Sequence, residues 1–165
     1  MTEKEFSGLF NTWFDPVRRY ICYRCGDADL ATDIAQETFV RLWEKNISPM
    51  SVKVPGLMYK IAGDLMISHF RREKVKMNYQ VNLRLDEMAS SPEESLLFQE
   101  LLDQYNKLLA VMPEKQRTVF LLSRVDELKY HEIASRMGIS VKAVEKRMTL
   151  ALKTIRKELG DYGTR

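Results

Sequence analysis

Strand signals are scarce in this 165-residue chain: no Asn-Gly or Asp-Gly turn separates alternating runs, and apolar residues recur at helical intervals instead. An all-α fold is expected. No apolar run approaches the roughly 18 residues that cross a bilayer, and the opening Met1-Thr2-Glu3-Lys4-Glu5 lacks the basic and apolar regions of a secretory signal. The expected location is therefore cytoplasmic. There are two cysteines and two histidines, too few and too scattered for a four-ligand structural zinc site. Cys22 and Cys25 do stand at C-x-x-C spacing, but the surrounding helical pattern does not supply the βαβ setting of a thiol-redox enzyme. Reduced, partly buried thiols are expected there. Nucleophile-base pairs, phosphate-cradling glycine loops and carboxylate dyads are not evident, and no cofactor or metal is expected.

What is present is an uneven charge distribution. Lys129 to Lys157 holds eight Lys/Arg against two Asp/Glu, whereas the residues before Lys74 hold ten of each sign. Positive charge gathers at one end, where it favours release of counterions from DNA. That end also carries a helix-turn-helix spacing. Ala134, Gly138 and Val144 fall at offsets of zero, four and ten, which supplies a small contact residue, a left-handed turn residue and a buried β-branched residue. Ser140 can cap the second helix, whose apolar stripe is Val141, Val144, Met148, Ala151, Leu152 and Ile155. Lys142, Glu145, Lys146, Thr149 and Lys153 then face outward as a reader of the major groove requires, although an ordinary hairpin with a solvated face would share the pattern.

Upstream, helices are expected over Thr2 to Phe14, with Phe6, Leu9, Phe10 and Trp13 on one face, and over Pro16 to Arg24. A third runs from Asp27 or Asp29 to about Lys45, carrying Leu30, Ile34, Phe39, Leu42 and Trp43. Pro55 to Ala62 and Leu65 to Glu73 follow, divided by Gly63-Asp64. Periodicity fades from Lys74 to Ser95, resumes at Leu96 with Leu97, Leu101 and Leu108, and continues in Glu114 to Val125 after Pro113. The expected organisation is two helical domains, 1–73 and 96–165, joined by a flexible linker over 74–95, the second ending in the helix-turn-helix. Asp29, Asp33, Gln36 and Glu37 lie at offsets of zero, four, seven and eight, a polar, acidic stripe that can either dock a basic partner or simply face solvent.

Asp33-Ile34-Ala35-Gln36-Glu37-Thr38-Phe39 resembles region 2.2 of the bacterial sigma-70 family, and Met112-Pro113-Glu114-Lys115-Gln116-Arg117 followed by Tyr130-His131-Glu132-Ile133-Ala134 resembles region 4. With no room for regions 1.1 and 3, the chain is similar to the extracytoplasmic-function group. The resemblance implies a non-enzymatic transcription initiation factor that binds core RNA polymerase, through the β′ clamp and the β flap, and promoter DNA, under the control of an anti-sigma factor. It implies that Asp33, Gln36 and Glu37, with the neighbouring Asp29, grip β′. Tyr59-Lys60-Ile61-Ala62 and His69-Phe70-Arg71-Arg72 resemble regions 2.3 and 2.4, which melt and read the minus-ten element. Lys60, Arg71 and Arg72 suit phosphates; Tyr59 can stack on a base or serve the core. Gly63-Asp64 begins the segment that matches the family's base-capturing loop.

The chain departs from the family there: Asp64 replaces the common Asn, Ser68 the common Asp and Leu57 the frequent Trp. A carboxylate accepts but does not donate, so a different base preference follows if Asp64 contacts DNA; it can equally cap a helix. In the second helix of the C-terminal pair, Glu145, Lys146 and Thr149, with Lys142 near its start, match the minus-35 contacts. Glu145 stands where many relatives are basic. Arg147, Lys153, Arg156 and Lys157 complete the cationic set, Arg147, Arg156 and Lys157 suiting phosphates. Two competitors remain: a stand-alone helix-turn-helix regulator binding a two-fold symmetric site, and a thiol or metal protein built on Cys22 and Cys25.

Overall fold

Side-chain caps open α1, α2 and α7 of the seven helices. Thr2 Oγ1 accepts from Glu5 N at 3.2 Å while Glu5 Oε2 accepts from Thr2 N at 2.7 Å, opening α1 (Glu3–Cys25). Asp27 accepts from Leu30 N and opens α2 (Ala28–Glu44). Next come α3 (Val54–Glu73), α4 (Pro92–Val111), α5 (Glu114–Arg124), α6 (Tyr130–Met137) and α7 (Val141–Leu159). The computed structural model describes residues 1–51, 53–74 and 92–160, and the helices are its only regular elements among those residues. The expected linker lies mostly outside the described residues; α4 already begins at Pro92, four residues before the position expected.

Two expected breaks are absent. Pro16 sits inside a continuous α1, and α3 runs unbroken through Gly63-Asp64. Gly63 serves close packing rather than a turn, because a Cβ there would lie 2.8 Å from Arg24 Nη1. Asp64 is therefore not an N-cap. Gly138 does turn the chain, at φ 66°, and Ser140 Oγ accepts from Ala143 N at 3.0 Å, as the helix-turn-helix spacing predicts.

The N-terminal body packs α1 against α2 and α3 around Phe39, whose ring meets Phe6, Phe10 and Phe14. Burying a side chain of that size contributes about 1.5–3 kcal/mol. In the C-terminal body, Ile133 of α6 and Val144, Met148 and Ala151 of α7 pack with Val119, Leu121 and Leu122 of α5. Trp43 and Val141, expected on buried stripes, are 43% and 40% exposed; Leu96 and Leu101 of α4 are exposed as well.

The two bodies touch each other. Helix α1 lies on α5 and α3 lies on α6, so the buried residues of both halves form one continuous cluster. Helix α7 nevertheless keeps one long face open to solvent.

Candidate nucleic-acid and protein interfaces

Helix α2 turns Ala31, Ile34, Ala35 and Phe39 inward, which leaves Asp29, Asp33, Gln36 and Glu37 together on the outside. All four are exposed. Glu37 accepts from Arg41 Nε at 3.1 Å, an exposed i,i+4 pair that leaves the stripe acidic. Exposed Val40 and Trp43 continue the same surface with apolar area.

Along α3, Lys60, Asp64, Ser68 and Arg71 recur at helical spacing and all face solvent, with Ile67 among them at 44% exposure. Ile67 was not singled out by sequence, since a lone apolar residue on a polar face carries no periodic signal. Arg72 is exposed too, but it lies in an open cleft of about 420 Å³ with His69, Asp33 and Glu37. The acidic stripe and the cationic face of α3 thus share a border.

Tyr59 does not join that face. It is 1% exposed, its ring 4.6 Å from that of Tyr20, and its hydroxyl accepts from Arg136 Nη1 at 3.4 Å. Burial pushes the hydroxyl above its ordinary pKa. Of the two roles open to it in the sequence, the structure gives it the packed one.

In α7, Lys142, Glu145, Lys146, Thr149 and Lys153 face outward while Val144, Met148 and Ala151 face the partner helices. This is the polarity that a groove reader needs. Thr149 Oγ1 donates to its own helix at Glu145 O, 2.9 Å, which leaves its methyl for contact. Arg147 departs from the set. It is half-buried on the side of α7 that faces α1: burial raises the Tyr20 pKa, and the cations of Arg24 and Arg147 oppose that rise.

Between the bodies lies a polar seam that sequence did not reveal. Arg117 of α5 is 3% exposed; it donates to Leu109 O and Met112 O at the end of α4 and, across the seam, to Tyr23 O at 2.8 Å and Arg24 O at 2.6 Å. Two helix C-termini, each bearing partial negative charge, converge on one guanidinium. Arg24 in turn pairs with Glu114, and Asp126 accepts from both Arg19 and Tyr23. The signal available was the uninterrupted apolar run Val119-Phe120-Leu121-Leu122, which covers every side of one helical turn, and a helix apolar all round must be sandwiched; in the structure Arg117 to Leu122 are all buried.

Cys25 is buried, its thiol pushed up by burial to about 11, and Cys22 is raised by the same cause. No metal-holding group of three His, Cys, Asp or Glu occurs among the described residues.

Comparison with known proteins follows the same division. The Sigma-70 region 2 family model matches residues 9–75, and the Sigma-70, region 4 model matches residues 102–155. The chain is 31% identical to the ferric citrate uptake sigma factor FecI of Escherichia coli (strain K12), over 90% of this chain and 87% of that protein. The chain belongs to the extracytoplasmic-function group of the sigma-70 family. It is an alternative sigma factor, directing RNA polymerase to promoters. The extracytoplasmic-function RNA polymerase sigma factor SigW of Bacillus subtilis (strain 168) is 30% identical, over 94% of this chain and 89% of the relative. In fold, the chain is similar to the sigma factor RpoE of Bartonella quintana, solved in complex with the anti-sigma factor NepR: the TM-score is 0.67 at 16% identity, covering 98% and 99% of the two chains. No helix among the described residues is long and apolar enough to cross a membrane.

Proposed function

We propose that this sigma factor divides its work among three exposed helical faces. The acidic stripe Asp29, Asp33, Gln36 and Glu37 docks on the polymerase β′ clamp, with Val40 and Trp43 adding apolar contact. Lys60, Ser68, Arg71 and Arg72 hold the strands of the minus-ten element, and Asp64 accepts a hydrogen bond from a base. Lys142, Glu145, Lys146, Thr149 and Lys153 enter the major groove at the minus-35 element. A β-flap contact falls to the C-terminal body. The factor works in the cytoplasm, catalyses no reaction of its own and answers to an anti-sigma partner.

The observation that carries this reading is the sidedness of α7: its buried residues meet α5 and α6, and its outward residues offer donors, an acceptor and a methyl to base edges. In the Asp64 and Glu145 positions the chain presents carboxylates, so both elements are expected to offer donors there, such as the amino group of cytosine or adenine.

The test is capture of core RNA polymerase by the purified chain, followed by transcription from upstream DNA of its own operon. Wild type is expected to bind and to give a discrete start. Asp33→Arg combined with Glu37→Arg reverses the stripe and is expected to lower capture at least tenfold while leaving duplex binding by α7 intact. Undiminished capture by that variant would remove the stripe from the interface.

A further inference from the structure

We infer that Ile67 is the wedge that opens the minus-ten duplex: its side chain enters the base stack at the step from which a base leaves for Asp64. This role rests on the promoter reading above and fills the one task that reading leaves unassigned, the separation of stacked bases. Lys60, Arg71 and Arg72 suit phosphates and Asp64 offers an acceptor, but neither a cation nor a carboxylate replaces the stacking that an extracted base gives up. An apolar or aromatic side chain does.

Along α3 one side chain fits. Tyr59, the aromatic residue that the sequence offered for stacking, is packed on Tyr20 beneath Arg136. Met58, Leu65 and Met66 are buried, and Leu57 and Phe70 are half-buried against the core. His69 borders the cleft that holds Asp33 and Glu37. Among the described residues of α3, Ile67 is the one large apolar side chain that is exposed, at 44%.

Its setting suits insertion. Asp64 lies one turn before Ile67 and Lys60 two turns before it, while Arg71 lies one turn after, all on the solvent side of the helix. Lys60 to Arg71 spans about 16 Å along the axis, close to five base steps at about 3.4 Å each. Cations therefore reach one strand on both sides of the inserted side chain. Isoleucine is β-branched and stiff at χ1 in a helix, so it gives up little freedom on insertion, and its apolar surface leaves water as it enters the stack. It carries no donor or acceptor: it parts the bases, and the neighbouring Asp64 receives the one that leaves.

The experiment uses holoenzyme assembled from core RNA polymerase and the full chain, as wild type, Ile67→Ala or Ile67→Leu, on DNA from upstream of its own operon. Alanine is the better helix former and the position is exposed, so Ile67→Ala keeps the fold. Two templates are compared, a full duplex and the same DNA with the minus-ten element held open by mismatches. Permanganate reaction with unstacked thymines reports opening, and run-off transcript reports output. Ile67→Ala is expected to capture core polymerase as wild type does, to open the duplex about tenfold less, and to match wild type within about twofold on the mismatched template. Ile67→Leu, still large and apolar, is expected to keep most of the opening. Equal opening of the duplex by wild type and Ile67→Ala would overturn the wedge. A deficit of the same size on both templates would overturn it too, because Ile67 would then make a contact that does not part the strands. If wild type gives no promoter-specific transcript from either template, the promoter reading itself fails and the wedge falls with it.

Discussion

Arg117 Nε donates to Tyr23 O at 2.8 Å, a hydrogen bond between residues 94 positions apart that ties the two halves of this sigma factor together. The guanidinium is buried and serves carbonyls at two helix ends, so its removal leaves several acceptors without a donor in a place water reaches poorly. Arg117→Met keeps the length and apolar stem of the side chain but loses every bond, and is expected to destabilise the chain by about 3 kcal/mol. Urea denaturation of the two proteins checks it. A change below about 1 kcal/mol would mean that the carbonyls find water or that the seam carries little stability.

The exposed cations of α3 predict a salt signature. Each phosphate they neutralise adds to counterion release, so Lys60→Ala and Arg71→Ala are each expected to reduce the slope of log K against log salt by about one, measured with holoenzyme on minus-ten DNA. Tyr59→Phe should not alter that slope, because the hydroxyl faces Arg136.

Readout and positioning separate on α7. Lys146→Ala is expected to weaken binding by about 1–3 kcal/mol on the preferred minus-35 sequence and to relax preference at one base pair. Arg156→Ala, further along the exposed face, should weaken all sequences alike. Binding titrations against single-base variants of the element distinguish the two.

The thiol pair is expected to be inert. With Cys25 raised to about 11 from an ordinary 9.0, its thiolate fraction at pH 8 falls about a hundredfold, and burial slows access further. The reactive fraction grows as pH rises toward that value, so alkylation by iodoacetamide should be slow at pH 8, faster near pH 10, and fast at either pH in urea. Rapid alkylation of the folded chain at pH 8 would point to an activated thiol and revive a redox role.

Local chemistry made the individual elements legible. Ser140 acts as the cap it resembles, Asp27 rather than Asp29 proves to be the residue that opens α2, Gly138 takes the left-handed turn, and the acidic and cationic faces of α2 and α7 follow from spacing alone. Gly63-Asp64 misled because glycine has two uses: it can end a helix, or it can stay within one and admit a neighbour, here Arg24. Pro16 misled for a related reason, since the expected break assumed that loss of one hydrogen bond outweighs continuous packing of α1 on α2.

Sequence by itself determined the helical class, the two family segments and the polar faces that α2 and α7 offer to solvent, because periodicities of three and four residues and caps within one turn are properties of neighbouring residues. Tertiary structure alone decided that the two bodies close on each other, that Tyr59 is covered by Arg136 and that Arg117 bridges two helix ends. The physical reason is distance along the chain: a guanidinium that finds carbonyls more than 90 residues away leaves no periodic trace, and only the packed molecule brings donor and acceptor together.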